Sequence, residues 1–179
     1  MNRKMIDRAK QIIVEIIRQS GGEFHNKTNL YKAFWIAHLS FADATGGILS
    51  TWPIVKMPNG PGIDRHQILL GELLTDGIIE IEQKEGQYEA FIFRLSDKTS
   101  IPQMEDEELD AIKDGIAGVR GKSAKQVSFE SHENSISWNQ ADIGEEMNLY
   151  LDIIPPADRE TLKRESAKFA SFASEVVGI

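Results

Sequence analysis

Asn29-Leu30-Tyr31-Lys32-Ala33-Phe34-Trp35-Ile36-Ala37-His38-Leu39-Ser40-Phe41 is the stretch on which the fold turns. Its large apolar residues, Leu30, Tyr31, Phe34, Trp35, Ile36, Leu39 and Phe41, surround a helix axis instead of striping one side of it. A helix that is apolar all round must be enclosed by other elements, because water on any side would meet hydrocarbon. The segment therefore predicts a central helix, opening between Asn26 and Asn29 and stopped by Thr45-Gly46-Gly47.

Upstream, Met5, Ala9, Ile12, Ile13, Ile16 and Ile17 recur at helical spacing, with Arg3, Lys4, Arg8, Lys10 and Arg18 largely on the other side. This predicts an amphipathic helix over 3–20 that ends at Gly21-Gly22. Downstream, Trp52-Pro53, Pro58, Gly60-Pro61 and Gly62 read as a shaped connector, rigid around Met57-Pro58-Asn59-Gly60-Pro61-Gly62, with a short strand at 54–57. Proline fixes φ and glycine frees it, so such a run shapes the chain more than it extends it. A third helix is expected from Asp64-Arg65-His66-Gln67, with Asp64 and Gln67 as a capping box. Leu69, Leu70, Leu73 and Leu74 would turn inward, and Gly77 would end it.

Ile79 and Ile81 alternate with Glu80 and Glu82, and Phe91, Phe93 and Leu95 alternate on a return strand around Glu85-Gly86. That is a hairpin with one buried face. Glu105-Asp106-Glu107-Glu108 suits the positive end of a further helix, with Leu109, Ile112, Ile116 and Val119 as its inner stripe. Ser123-Ala124-Lys125-Gln126 opens a short helix to about His132, and 134–138 read as a turn or extended link. Helical turns within 143–154, the stop at Pro155-Pro156 and a last helix over 158–177 complete the chain. The expected fold is α+β and mainly α: one domain over 1–179, with a β-hairpin arranged in the manner of a winged helix.

Composition narrows the chemistry. The chain has 179 residues, 41% hydrophobic and 27% charged, so it can bury a core without staples. It has no cysteine, which removes disulfides, thiolate metal sites and thiol nucleophiles together. His25, His38, His66 and His132 are far apart, and none forms a ligand-spaced pair. No nucleophile elbow, dinucleotide fingerprint or P-loop occurs. No catalytic residue, cofactor or metal is expected, and the Glu105 run reads as a solvated helix start. The charged N-terminus and the lack of a long apolar run argue against a leader or a membrane span, so a cytoplasmic location is expected.

The order of helices and hairpin over 27–95 would let the third helix enter a DNA groove, making a winged-helix regulator the alternative reading. Yet that helix sets Arg65 alone against Asp64, Glu72 and Asp76, and the hairpin adds Glu80, Glu82, Glu85 and Glu89. With a formal net charge of −8, the chain repels phosphate, so nucleic acid is not the expected partner. Ser128-Phe129-Glu130-Ser131-His132 followed by Trp138 brings a hydroxyl, an imidazole and an indole close in sequence. Trp138 could plug the core while Ser131 and His132 cap a helix end, or the three could serve a partner.

Three blocks in order resemble the Panacea antitoxin domain, which is also met in phage-associated and mobile-element proteins. They are the aromatic helix containing Trp35 and His38, the connector with Pro58, Gly60 and Pro61, and the segment Ser131-His132 to Trp138. The resemblance covers about residues 25–155, with the first and last helices packed outside it. It implies a non-catalytic interaction domain that neutralises a protein toxin encoded by a neighbouring gene. Some relatives present the toxin to a protease as adaptors. The same eight motif residues are the partner-binding candidates.

Overall fold

The computed structural model describes residues 2–83, 91–96 and 103–153. The expected turn at Glu85-Gly86, the Pro155-Pro156 stop and the last helix over 158–177 lie outside these residues. Among them the chain is mainly helical with small antiparallel sheets, the α+β class expected.

Helix α1 (Arg3–Gln19) starts at Asn2, whose side chain accepts a hydrogen bond from the Lys4 N–H, one of the donors that a helix start leaves free. Ala9, Ile12, Ile13, Ile16 and Ile17 are buried as the spacing predicted, whereas Met5 is half-buried and Ile6 beside it takes the inner position. Lys10 is not on the solvent side: it is 6% exposed, and its ammonium donates to Asp76 at 2.6 Å and Glu72 at 3.1 Å. Lys10 lies one residue from the apolar stripe, and its long stem carries the charge out to two carboxylates.

Helix α2 (Lys27–Thr45) is the central element, in contact with α1 and with several later helices and strands. Leu30, Ala33, Phe34 and Ala37 are fully buried, and Gly46 closes the helix in the left-handed conformation. Burying each large side chain contributes about 1.5–3 kcal/mol. Its broadest neighbour is α4 (Asp106–Val119), capped by reciprocal bonds between Glu105 and Glu108. The approach is close because Gly115 has no side chain, and a Cβ there would overlap the Ala33 carbonyl oxygen. Gly118 lies inside α4, against Ile36.

A three-residue strand unforeseen in the sequence, β1 (Glu23–His25), joins the expected hairpin of β4 (Ile79–Gln83) and β5 (Phe91–Leu95). The order is β1-β5-β4, with Phe24 opposite Phe93 and Ile81 opposite Phe93. On the other face Arg94 binds Glu23 at 2.6 Å and Glu82 at 2.5 Å.

The connector is a second hairpin. β2 (Ile54–Met57) pairs with β3 (Gly60–Ile63) around a Pro58-Asn59 turn, so Gly60-Pro61-Gly62 is a buried strand and not part of the turn. The far edge of β2 is covered by 144–147, through Lys56 N–H to Glu145 O at 2.9 Å and Met147 N–H to Ile54 O at 2.8 Å.

α3 (His66–Thr75) departs from its expected cap: Arg65 takes the cap position with φ +42°, and no side chain caps the helix. Leu69, Leu70 and Leu73 are buried, whereas Leu74 is 50% exposed, one step past the inner stripe. α5 (Ala124–Asn134) is capped by Ser123, and the expected link at 134–138 is instead α6 (Ile136–Gln140). α7 (Tyr150–Ile153) follows. Asp152 explains α6: it accepts from Ser135 Oγ at 2.9 Å, Ser137 N–H at 2.9 Å and Ser137 Oγ at 2.5 Å, and so anchors a helix too short to stand alone.

Candidate functional site

Lys32 sits in the middle of α2, where the apolar run surrounds the axis, and is 2% exposed. Its ammonium reaches the buried strand β3 and donates to the Pro61 carbonyl at 2.6 Å. Gly60, the residue before, has φ +95° and lies flat against the same amine. A Cβ on Gly60 would be 2.8 Å from Lys32 Nζ and would overlap Ser131 Oγ. Ser131, itself buried, donates to Ser128 O within α5. Residues 32, 60, 61 and 131 therefore occupy one point, where α2, β3 and α5 meet.

Beside it lies an aromatic stack. The rings of His132 and Trp138 are 3.9 Å apart, centroid to centroid, and 10° from parallel. Trp138 is held from both ends, its N–H bonded to Ser135 Oγ at 3.0 Å and its indole Nε1–H to Met57 O at 3.1 Å. Lys56, on β2, lies 4.4 Å over the other face of the indole. Such cation–π contacts are worth about 0.5–2 kcal/mol. The three rings and chains are half-buried, so Trp138 does not plug the core. His132 does not cap a helix end either: its Nε2 is shielded from solvent and has no hydrogen-bond partner.

The electrostatics follow from the burial. Lys32 has no carboxylate partner among the described residues, and desolvation alone pushes its amine down to about 7. Lys10, the other buried lysine, contrasts with it: burial lowers it, but the hydrogen bonds and charges of Asp76 and Glu72 outweigh that and hold it above its ordinary value. His132 is lowered by burial and then by the charges of Lys32 and Lys56, with Glu133 opposing. This is a cluster of three bases, Lys32, Lys56 and His132, in a chain of net charge −8. The Ser131 hydroxyl beside Lys32 turns back to its own helix.

The remaining candidates lie elsewhere. Pro58 is exposed at the hairpin turn. Trp35 is buried, its Nε1 without a partner. His38 is fully enclosed two turns along α2, where its ring bonds Phe34 O at 2.8 Å and Ser50 Oγ at 2.7 Å. A carbonyl can only accept, so Nδ1 carries the hydrogen and Nε2 accepts from the Ser50 hydroxyl. Burial pushes this imidazole down to about 4, which makes it a weak base. The pair lines a cavity of about 510 Å³ bounded by Leu49, Trp52, Met147 and Tyr150.

Sequence reasoning thus found Gly60, Pro61, Ser131, His132 and Trp138, which do gather, and missed Lys32 and Lys56. A lysine inside an otherwise apolar helix was the signal that could have found Lys32. Among the described residues no group of His, Asp or Glu could hold a metal ion, and no helix is long and apolar enough to cross a membrane. Comparison with protein-family models, with curated proteins and with solved structures finds no match.

Proposed function

We propose that this chain is a non-catalytic interaction domain of the antitoxin type, which neutralises a toxin encoded by a neighbouring gene through direct binding in the cytoplasm. The observation that carries the reading is the meeting of three separate blocks, α2, the Gly60-Pro61 strand and Ser131 to Trp138, at one half-buried aromatic and basic patch. Lys32, Ser131 and the Trp138 indole are each tied to a backbone carbonyl, which builds a rigid platform. Rigid aromatic anchors ringed by charge are the commonest source of affinity at protein interfaces. Phe129, 65% exposed on α5 one turn before His132, extends the patch. Presentation of the bound toxin to a protease is compatible with the same surface.

The winged-helix regulator draws on the order α1, β1, α2, α3, β4, β5, with β1 closing on β5. Against it, the exposed residues within α3 are Gln67, Ile68, Gly71, Leu74 and Thr75, none of them a cation, and Arg65 at its cap is paired with Asp64.

Co-expression with the products of the flanking genes tests the proposal. The expected result is rescue of growth from one toxic neighbour and its co-purification with this chain. If no neighbour is toxic and none co-purifies, the antitoxin reading fails. Salt-dependent binding of promoter DNA in place of a protein would move the assignment to the regulator.

A further inference from the structure

Two lysines are buried in this chain, and they are treated in opposite ways. Lys10 receives two carboxylates. Lys32, the more deeply buried, receives one carbonyl. Carboxylates are plentiful here, at 28 Asp and Glu, and Arg3, Arg8, Arg18, Arg94 and Lys122 all find one. On the side of Lys32 lies instead another base, His132, whose Nε2 is unpartnered and which feels the charges of both Lys32 and Lys56, the latter's ammonium lying over Trp138. Glu133, exposed on the next position of α5, is the acid acting on His132. A buried cation without a counter-ion is costly, and a second and third base beside it raise the cost. One negative charge at that point would satisfy all three.

We propose that the Lys32, Lys56 and His132 cluster is the seat for a carboxylate presented by a protein partner, an Asp or Glu side chain that supplies the counter-charge Lys32 lacks. The inference rests on the interaction reading above and names the chemistry of the partner's anchor. The carboxylate approaches over the half-exposed edge formed by Lys56, Trp138 and His132, takes ammonium hydrogens from Lys56, and meets the field of Lys32 from behind. The edge of the Trp138 indole, whose two faces His132 and Lys56 occupy, packs the methylene stem of a Glu or Asp. Phosphate fits less well: among the described residues no arginine fork is present at the seat to grip its oxygens.

The test uses the intact chain, labelled with ¹³C and ¹⁵N at lysine and tryptophan, at constant ionic strength. The probes are sodium acetate, the capped peptide acetyl-Gly-Glu-Gly-amide, and its Gln counterpart. The Glu peptide is expected to raise the Lys32 titration midpoint by about one unit, a tenfold coupling between proton and ligand, and to shift the Trp138 indole resonance in a saturable way. The Gln peptide and added chloride leave both signals unmoved. Lys56→Gln, at a half-exposed position that leaves the core intact, and Lys32→Met, which keeps the volume, each weaken the Glu peptide by about threefold or more.

Silence of both resonances with acetate and with the Glu peptide overturns the proposal. Acetate binding as tightly as the Glu peptide overturns the protein source and assigns the seat to a free small acid. A toxic neighbour that co-purifies equally with wild type and with Lys32→Met also sinks the seat, while it leaves the antitoxin reading standing.

Discussion

The His132 imidazole lies flat on the Trp138 indole, 3.9 Å centroid to centroid, and Lys56 covers the opposite face of the same indole. That sandwich ties α5 to α6 and α6 to β2, and it closes over a buried lysine amine with no ionic partner. Its energetics can be read out one residue at a time.

Lys32 makes stability rise with pH. Its folded-state amine titrates near about 7, against 10.5 ordinarily, so between those values the unfolded chain binds the extra proton. Stability is full above the unfolded value and falls as pH drops toward 7. The gain from pH 7 to 9.5 is about 3 kcal/mol, read as a rising urea midpoint. Lys32→Met should flatten this slope and be the more stable protein at pH 7. An unchanged slope in that variant would place the titration elsewhere.

His38 acts at the acid end. Its folded-state value is pressed to about 4 from 6.5, so the neutral ring stabilises the fold above pH 6.5, and that contribution is lost as pH falls toward 4. About 3 kcal/mol should disappear across that window. In His38→Gln, whose amide can still accept from Ser50, the loss below pH 6.5 should be smaller by that amount. Urea titrations of both proteins at pH 7 and pH 4 decide it.

Gly60→Ala should destabilise by about 2–4 kcal/mol, from positive φ combined with overlap on Ser131 and Lys32. Gly62→Ala is a comparison within the same strand, since there the added carbon meets only the flexible Met57 side chain. The loss at Gly60 should exceed that at Gly62, as compared by thermal unfolding.

Glu72→Gln with Asp76→Asn strips Lys10 of both carboxylates. Asp76 is 46% exposed, so solvent screens part of the loss, and a modestly lowered urea midpoint is expected. Adding Lys10→Met should recover most of it, because the uncompensated charge has then gone. A triple variant no more stable than the double would refute this account of the network.

Much of the architecture was legible locally. The 3.6-residue rhythm of Ile12, Ile13, Ile16 and Ile17, and of Ile112, Ile116 and Val119, places α1 and α4 without tertiary help. β1 was not legible, because Glu23-Phe24-His25 becomes a strand only against Ile92, Phe93 and Arg94, nearly seventy residues on. β3 was hidden for a different reason. Gly60-Pro61-Gly62 is among the poorest of strand sequences, and what holds it extended is its pairing with β2 and the Lys32 bond to Pro61. Asp152 is the missing reason for α6 in the same sense. At the site, the glycine, proline, serine, histidine and tryptophan announced themselves by type. Lys32 and Lys56 passed for surface charges, since sequence reports a residue's charge and not whether a counter-charge waits for it.

The cluster draws on residue 32, residues 60–61 and residues 131–138, and that spacing orders its assembly in time. During synthesis Lys32 emerges about a hundred residues, and Gly60 about seventy, ahead of Ser131, and closing so long a loop is entropically slow compared with winding a helix. Until α5 and α6 arrive, the amine remains hydrated and ordinary, and only the finished turn of Ser131 to Trp138 converts it into a buried base. A partner that grips this point therefore recognises completed chains and passes over nascent ones.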